Sequence, residues 1–429
     1  RLRATAALVR APGFAAAGGP RVVPARAVSF RAGRRLVSAV RRYGVSDMGV
    51  RKLAPQWAAA CRPSTLPKDF MAALSVFSVA VPMNLAVGVV SGIPPELALV
   101  SAAVAAPVAA LFGGTALGIT GPATAISVVV GQAVAAHGMV ALPVVTLLVG
   151  GLQVLTGMCG AGHLAKLTPR PVVAGFTTSV GTMILVSQAH RFLAVAPPPA
   201  GSNIQESLIH LAAILPETDL AAAGVGAGTL AGLLLIPRLL PSAAITAPLL
   251  SVGAATAVTT FCQVPVPLVG DIPTTVLSEL FKVPALTSDL LPLLPTAALV
   301  YGLASVESLL SSAAVDKMKK TQFAYDPGQE LIGQGLANVT SGFVGGPPVS
   351  CAIARSGLNA GSGAETRAAA VFQGGLLLGG VAALGPVLEL VPVPALAALL
   401  VRVGATMLTP PEAAAAVRVQ GTDRIPYVV

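Results

Sequence analysis

Two charged residues stand out because they lie in otherwise apolar stretches of the chain. Glu307 is the single acid in the run from Leu291 to Val315, and Arg355 follows a short Gly/Pro-rich stretch. A charge at membrane depth is costly, so it usually faces a cavity or a partner. Glu307 is therefore either a group that binds a coupling cation or proton, or half of an ion pair between helices. Arg355 either supplies positive field to an anion site or is a topology charge on the cytoplasmic side.

Two polar residues extend this set. Ser311 follows Glu307 at i+4, one helical turn further on, and gives that helix a small, partly polar strip. Asn84 lies inside the first long apolar run of the chain. It is either a cavity-facing residue or a hydrogen-bonding contact between packed helices.

Two Gly/Pro breaks interrupt apolar segments in different halves of the chain. The first is Gly121-Pro122, and the second is Gly345-Gly346-Pro347-Pro348, which leads to Ser350. Proline favours the first turn of a helix, and a helix that begins at membrane depth presents unpaired N–H groups and a positive dipole end. Such an end attracts an anion. Paired breaks of this kind point to the binding site of an inverted-repeat transporter, and two ordinary loops are the alternative.

The composition identifies the environment of these residues. The chain has 429 residues, of which 54% are hydrophobic and 10% charged. Soluble domains carry about 25% charged residues, so this chain has too few charges to cover a surface in water. The apolar runs recur, which predicts an all-α polytopic membrane protein in contact with a lipid bilayer. The predicted spans are Phe70–Val90, Leu97–Leu111, Ala116–Val134, Val140–Met158, Val172–Val186, Leu220–Leu235, Ala243–Phe261, Leu291–Val315, Leu331–Val344, Ala368–Leu388 and Val391–Met407. Residues 197–219 are predicted to be a polar connection.

The net charge of +10 is concentrated in an N-terminal arm. Residues 1–67 carry thirteen basic residues and one acid, Asp47, whereas residues 68–429 carry fourteen basic and sixteen acidic residues. This distribution argues against a nucleic-acid partner. An Arg- and Ala-rich arm almost without acids is typical of a transit peptide for a plastid or another organelle. The alternative is a basic tail that touches anionic lipid.

The four cysteines are widely spaced and form no Cys/His cluster, so we expect neither a disulfide framework nor a metal site. We also find no convergent set of catalytic residues and expect no enzyme and no cofactor beyond a coupling H⁺ or Na⁺.

Several motifs resemble those of the sulfate permease (SulP, solute carrier 26) family, in the same order along the chain from about Pro67 to Val429. They are Pro82-Met83-Asn84-Leu85-Ala86, Ser91-Gly92-Ile93-Pro94-Pro95, Leu111-Phe112-Gly113-Gly114, Ile119-Thr120-Gly121-Pro122, Glu307-Ser308-Leu309-Leu310-Ser311, Glu330-Leu331-Ile332-Gly333-Gln334-Gly335-Leu336-Ala337-Asn338, Gly345-Gly346-Pro347 and Ala352-Ile353-Ala354-Arg355-Ser356.

The resemblance implies two inverted seven-span repeats, divided into a core and a gate domain, with the last repeat incomplete and no STAS domain following. It places the anion between the N-termini of the third and tenth spans. The residues that match the family's anion site are Met83, Val87, Ala123, Ala354 and Arg355, with Asn84 and Thr124 beside them. Glu307 and Ser311 match positions used for cation coupling in some members. Met83, Ala123 and Ala354 replace more polar residues of the family, so the site is poorer in side-chain donors.

These observations predict a secondary transporter of small inorganic anions, with sulfate or bicarbonate as the leading substrates. A passive anion channel, an anion exchanger of the same fold, a membrane enzyme and a nucleobase transporter are the alternatives. The sequence leaves open whether the protein forms a homodimer.

Overall fold

The computed structural model describes residues 50–160, 162, 170–197, 204–241, 246–270, 291–319, 321, 323 and 325–408. Most of these residues are helical. The α-helices are α1 (Val50–Ala60), α2 (Leu66–Val90), α3 (Pro95–Phe112), α4 (Thr124–His137), α5 (Ala141–Met158), α6 (Arg170–Phe192), α7 (Ile204–Ile214), α8 (Leu220–Leu239), α9 (Ala247–Phe261), α10 (Leu294–Met318), α11 (Pro327–Phe343), α12 (Ile353–Gly361), α13 (Ala368–Glu389) and α14 (Val393–Leu408). Two short strands, β1 (Thr120–Pro122) and β2 (Val349–Cys351), precede α4 and α12.

The helices confirm a polytopic membrane protein. Within the described residues, five segments are long and apolar enough to cross a bilayer, and several shorter apolar helices accompany them. The five are Leu66–Val90, Pro95–Phe112, Ala141–Met158, Leu220–Leu239 and Leu291–Met318.

Proline residues set many of the helix starts. In α2, α3, α9, α10 and α11 a proline occupies the first or second helical position, where its missing N–H costs no hydrogen bond. Asp326 also caps α11, because its carboxylate accepts from the backbone N–H groups of Gly328 and Gln329 at 3.0 and 3.2 Å.

The structure confirms the interruption of Ala116–Val134 at Gly121-Pro122, because β1 and an extended Ala123 precede α4. It corrects two other predicted segments. The expected polar connection at 197–219 contains the helix α7. The predicted span at 331–344 is longer, since α11 begins at Pro327. The tail from Thr409 to Val429 and residues 1–49 lie outside the described residues.

The helices pack in two groups. One group contains α2, α3, α5 and α10 to α13, whose main contacts are with each other. The other contains α6, α8, α9 and α14, and α2 contacts it through α9 and α14. This division matches the expected core and gate. In the first group α5 and α11 cross closely, since a Cβ on Gly150 would lie 2.7 Å from the carbonyl oxygen of Gly335, and the reverse distance is also 2.7 Å.

The end of the N-terminal arm is part of the folded body. Leu53 and Ala59 of α1 are each only 1% exposed. The Trp57 Nε1–H donates to the Leu111 carbonyl at 2.8 Å, and the Trp57 ring meets Phe112 edge to face. The helix α1 therefore lies within the arm that the charge distribution delimits at residue 67, yet it packs on the C-terminal end of α3.

Candidate functional site

The two Gly/Pro breaks meet in one antiparallel ribbon. Thr120 pairs with Cys351, Gly121 with Ser350, and Pro122 with Val349. The element order helix, helix, strand, helix is the same in α2–α3–β1–α4 and in α10–α11–β2–α12. Antiparallel pairing of two equivalent segments is what an inverted repeat requires.

Each strand turns into a helix through one extended residue. Ala123 has φ −93° and ψ 123°, and Ala352 has φ −94° and ψ 131°, so the two helix starts have nearly the same backbone. Neither residue can cap its helix with a side chain. The first-turn N–H groups of α4 and α12 therefore place one positive helix-dipole end at each end of the ribbon.

Arg355 adds a full positive charge to this region. It lies in the first turn of α12, where the helix dipole disfavours a cation, and it is 1% exposed. Its Nη1 donates to Asn84 Oδ1 and its Nη2 to the Pro122 carbonyl, both at 3.0 Å. A Cβ at Gly121 would lie 2.4 Å from Nη1, so glycine is needed for the guanidinium to lie against β1. A buried cation at a positive helix end is an arrangement that a bound anion stabilises.

Glu307 contacts the ribbon through Ser350, the residue that pairs with Gly121. The Ser350 hydroxyl donates to Glu307 Oε2 at 2.9 Å, and the backbone N–H of Cys351 donates to Ser308 Oγ at 3.1 Å. The helix α10 therefore holds β2 through two consecutive side chains. Glu307 is half-buried and interacts electrostatically with Arg355, which links the carboxylate to the cationic region.

The remaining predicted residues are distributed as follows. Val87 is buried in α2, and Met83 packs against Leu233 of α8 and Leu399 of α14, in the second group of helices. Ala123 is 2% exposed within an apolar cluster, whereas Ala354 is exposed. Ser311 is buried one turn beyond Glu307. The side chain of Thr124 is outside the described part of the structure.

A polar face of α11, to which sequence reasoning gave no role, holds the ribbon in place. Asn338 Nδ2 donates to the Val349 carbonyl at 3.0 Å, and the Val349 N–H donates to Asn338 Oδ1 at 2.8 Å. Val349 and Pro122 form a non-hydrogen-bonded pair of the ribbon, so the N–H and C=O of Val349 face away from β1 and the Asn338 amide satisfies both. Gln334 Nε2 reaches Thr120 Oγ1 at 2.8 Å.

Glu330 completes this face. Its Oε2 accepts from the Gly114 N–H, and its Oε1 accepts from the Ser312 hydroxyl and from Gln334 Nε2, each at 3.0 Å. Ser341 donates to the Pro347 carbonyl at 2.7 Å. Glu330, Gln334, Asn338 and Ser341 recur at i, i+4, i+8 and i+11, which places them on one face of the helix. This spacing of polar residues within an apolar span is the sequence signal from which the polar face could have been predicted.

The sequence model of the "Sulfate permease family" matches residues 66–429 of the chain. The chain belongs to the sulfate permease family. The family expected from the motifs is therefore confirmed, and members such as YvdB and BicA are named as transporters, which agrees with the expectation of no enzyme.

Three curated members of the family are 27% to 29% identical to the chain over the aligned residues. The putative sulfate transporter YvdB of Bacillus subtilis is 29% identical over 83% of this chain and 67% of its own length. The bicarbonate transporter BicA of Picosynechococcus is 27% identical over 79% and 61%. The chloroplastic sulfate transporter 4.1 of Arabidopsis thaliana is 27% identical over 78% and 50%. The chain thus spans about half to two thirds of the length of these relatives.

Among solved structures, the transmembrane domain of a cyanobacterial bicarbonate transporter, BicA, superposes with a TM-score of 0.75 at 23% identity. It covers 86% of this chain and 94% of that domain. At this identity the similarity establishes the fold of the permease, including its all-helical membrane-spanning architecture.

Proposed function

We propose that this sulfate permease family member is a secondary active transporter of small inorganic anions, with sulfate or bicarbonate as substrate. The observation that supports it is the convergence of two uncapped helix starts and a buried arginine on one ribbon. Relatives named as sulfate and bicarbonate transporters favour these two anions.

The substrate occupies the region between the starts of α4 and α12. First-turn N–H groups and Arg355 bind it, since the side chains of Ala123 and Ala354 are too small to donate. Met83 of α2 packs on the second group of helices, so a movement between the two groups changes access to this region.

Glu307 and Ser311 couple a cation or proton to that movement. Ser350 donates to Glu307 and lies opposite Gly121, the residue against which Arg355 packs. A proton or Na⁺ at Glu307 changes the charge that Ser350 and Arg355 face, and this contact transmits the change to the anion.

The arm before α1 directs the protein to a plastid or another organelle membrane, and the similarity to a chloroplastic transporter supports this. The transporter works alone or as a homodimer of the same chain.

The test is uptake by purified full-length protein in liposomes. Labelled sulfate and bicarbonate are offered under imposed pH and Na⁺ gradients, and we expect accumulation above equilibrium with at least one combination. Anion flux that only follows its own gradient would identify a passive channel instead. One-for-one exchange that is insensitive to both gradients would identify an exchanger.

A further inference from the structure

Among the residues that the structure describes, two buried donors at the ribbon have no hydrogen-bond partner. They are Asn84 Nδ2 and Arg355 Nε, and their residues are 0% and 1% exposed. Buried N–H groups without an acceptor are rare and destabilising, so each such group needs an explanation. Both lie in the pair that joins the C-terminal third of α2 to the first turn of α12.

The orientation of the Asn84 amide follows from chemistry. A guanidinium carries donors only, so the amide must turn its oxygen toward Arg355 Nη1. Its NH₂ group then points away from the arginine with both N–H groups unused. The amide thereby fixes the guanidinium on one side and offers two further donors on the other.

The Arg355 guanidinium has N–H donors that no acceptor among the described residues uses. Of its five N–H groups, one reaches Asn84 and one reaches Pro122, and Nε is unpaired. The planar fork of a guanidinium matches two oxygens of one anion, because the two N–H groups are parallel. A spherical halide cannot accept both of these parallel bonds along their axes.

From this geometry we infer that Asn84 positions Arg355 and sets the preference of the site for an oxyanion with two or more oxygens over a halide. The inference rests on the proposed function, because it concerns the same anion site. Without the Asn84 oxygen, Arg355 keeps only the Pro122 carbonyl to orient its fork, and the two amide donors are lost.

The experiment compares sulfate or bicarbonate uptake with chloride uptake in liposomes, for the full chain and three variants. Asn84→Ala removes the acceptor and the donors, and Asn84→Asp keeps the shape and the acceptor but replaces the NH₂ group by a charged oxygen. Ser78→Ala is the control on the same helix, since among the described residues the Ser78 hydroxyl donates within α2, to the Ser75 carbonyl. Size-exclusion profiles establish that each variant is folded.

We expect both Asn84 variants to lower the oxyanion-to-chloride ratio by at least about tenfold, the effect of losing one charge-assisted hydrogen bond. Ser78→Ala should keep the original ratio. An unchanged ratio in a folded Asn84 variant, or an equal loss of oxyanion and chloride uptake, would overturn the inference and leave the proposed function standing. Absence of anion uptake by the unaltered protein would instead contradict the proposed function. If Asn84→Ala does not fold, Asn84→Asp decides the matter.

Discussion

At the scale of single residues, the site depends on a few side chains that each have a distinct electrostatic task. Arg355 is a cation at a helix start, and Glu307 is the acid that the Ser350 hydroxyl contacts. Two of the proposed anion-site positions, Ala123 and Ala354, are alanine, so we expect backbone N–H groups to donate more hydrogen bonds to the anion than side chains do. The predictions at this scale therefore separate charge from shape.

Glu307→Gln should abolish gradient-driven accumulation by the transporter. The amide retains an oxygen for the Ser350 hydroxyl, but its charge is fixed at zero, so it cannot exchange a proton or bind Na⁺ well. Uptake under pH and Na⁺ gradients measures the effect, and exchange without a gradient should persist. Asp316→Asn, on the same helix, is the control. Accumulation by Glu307→Gln with the original pH and Na⁺ dependence would mean that the carboxylate has a structural role.

Ala354→Leu should reduce anion uptake at least about tenfold by filling the space at the start of α12, with little change in thermal stability. Ala354 is suited to this test because its side chain is exposed. Ala123 is not, because it is 2% exposed in a packed cluster, and enlarging it should destabilise the protein by about 1–3 kcal/mol. Ile353→Leu preserves volume at the neighbouring exposed position and should keep uptake. Normal uptake by Ala354→Leu would place the anion elsewhere.

At the scale of elements, α11 is the scaffold of the site. Its polar face contacts both strands of the ribbon and the turn before β2, through Gln334, Asn338 and Ser341. The ribbon has only three residue pairs, which is too few for independent stability, so its position depends on this helix.

Asn338→Leu should lower the free energy of unfolding by about 3–5 kcal/mol, because it removes the partner of the Val349 N–H, of the Val349 C=O and of Gln153 Oε1. Thermal unfolding in detergent measures the loss. Thr340→Ala is the matched control on α11, since its hydroxyl bonds only within the helix, to Leu336. Equal melting temperatures for the two variants would show that the amide clamp is dispensable.

At the scale of the whole molecule, the body extends further toward the N-terminus than the basic composition suggests. Arg367, which is 2% exposed, donates to Gln56 of α1 and to the carbonyl of Ala110 in α3. The helix α1 thus joins the start of α13 to the end of α3. We therefore expect a deletion that ends before α1 and a deletion that includes α1 to have different consequences.

Deletion of residues 1–49 should leave uptake in liposomes and thermal stability unchanged. Deletion of residues 1–60 should cost about 2–4 kcal/mol of stability, through the burial of Leu53 and the partner of Arg367. Comparison of the two truncations by thermal unfolding and uptake tests this directly. Equal stability of the two would make α1 a removable part of the targeting arm.

The sequence by itself determined the environment, the helices and the places where they break. Apolar runs specify spans because a bilayer leaves no other partner for the backbone, and Gly121-Pro122 and the second Gly/Pro stretch mark the interruptions. The spacing of Glu330, Gln334 and Asn338, four residues apart, also indicates a polar face on one helix. All of these are local properties, which a few neighbouring residues fix.

Only the tertiary structure decided which residues meet. Asn84 and Arg355 bond across 271 residues, and Ser350 and Glu307 across 43. Such pairs depend on how helices from both halves pack, and no local pattern encodes that arrangement. The same holds for Ala123 and Ala354. Ala123 precedes α4 and is buried in an apolar cluster, whereas Ala354 is the second residue of α12 and is exposed, and only the packing of the helices decides this difference.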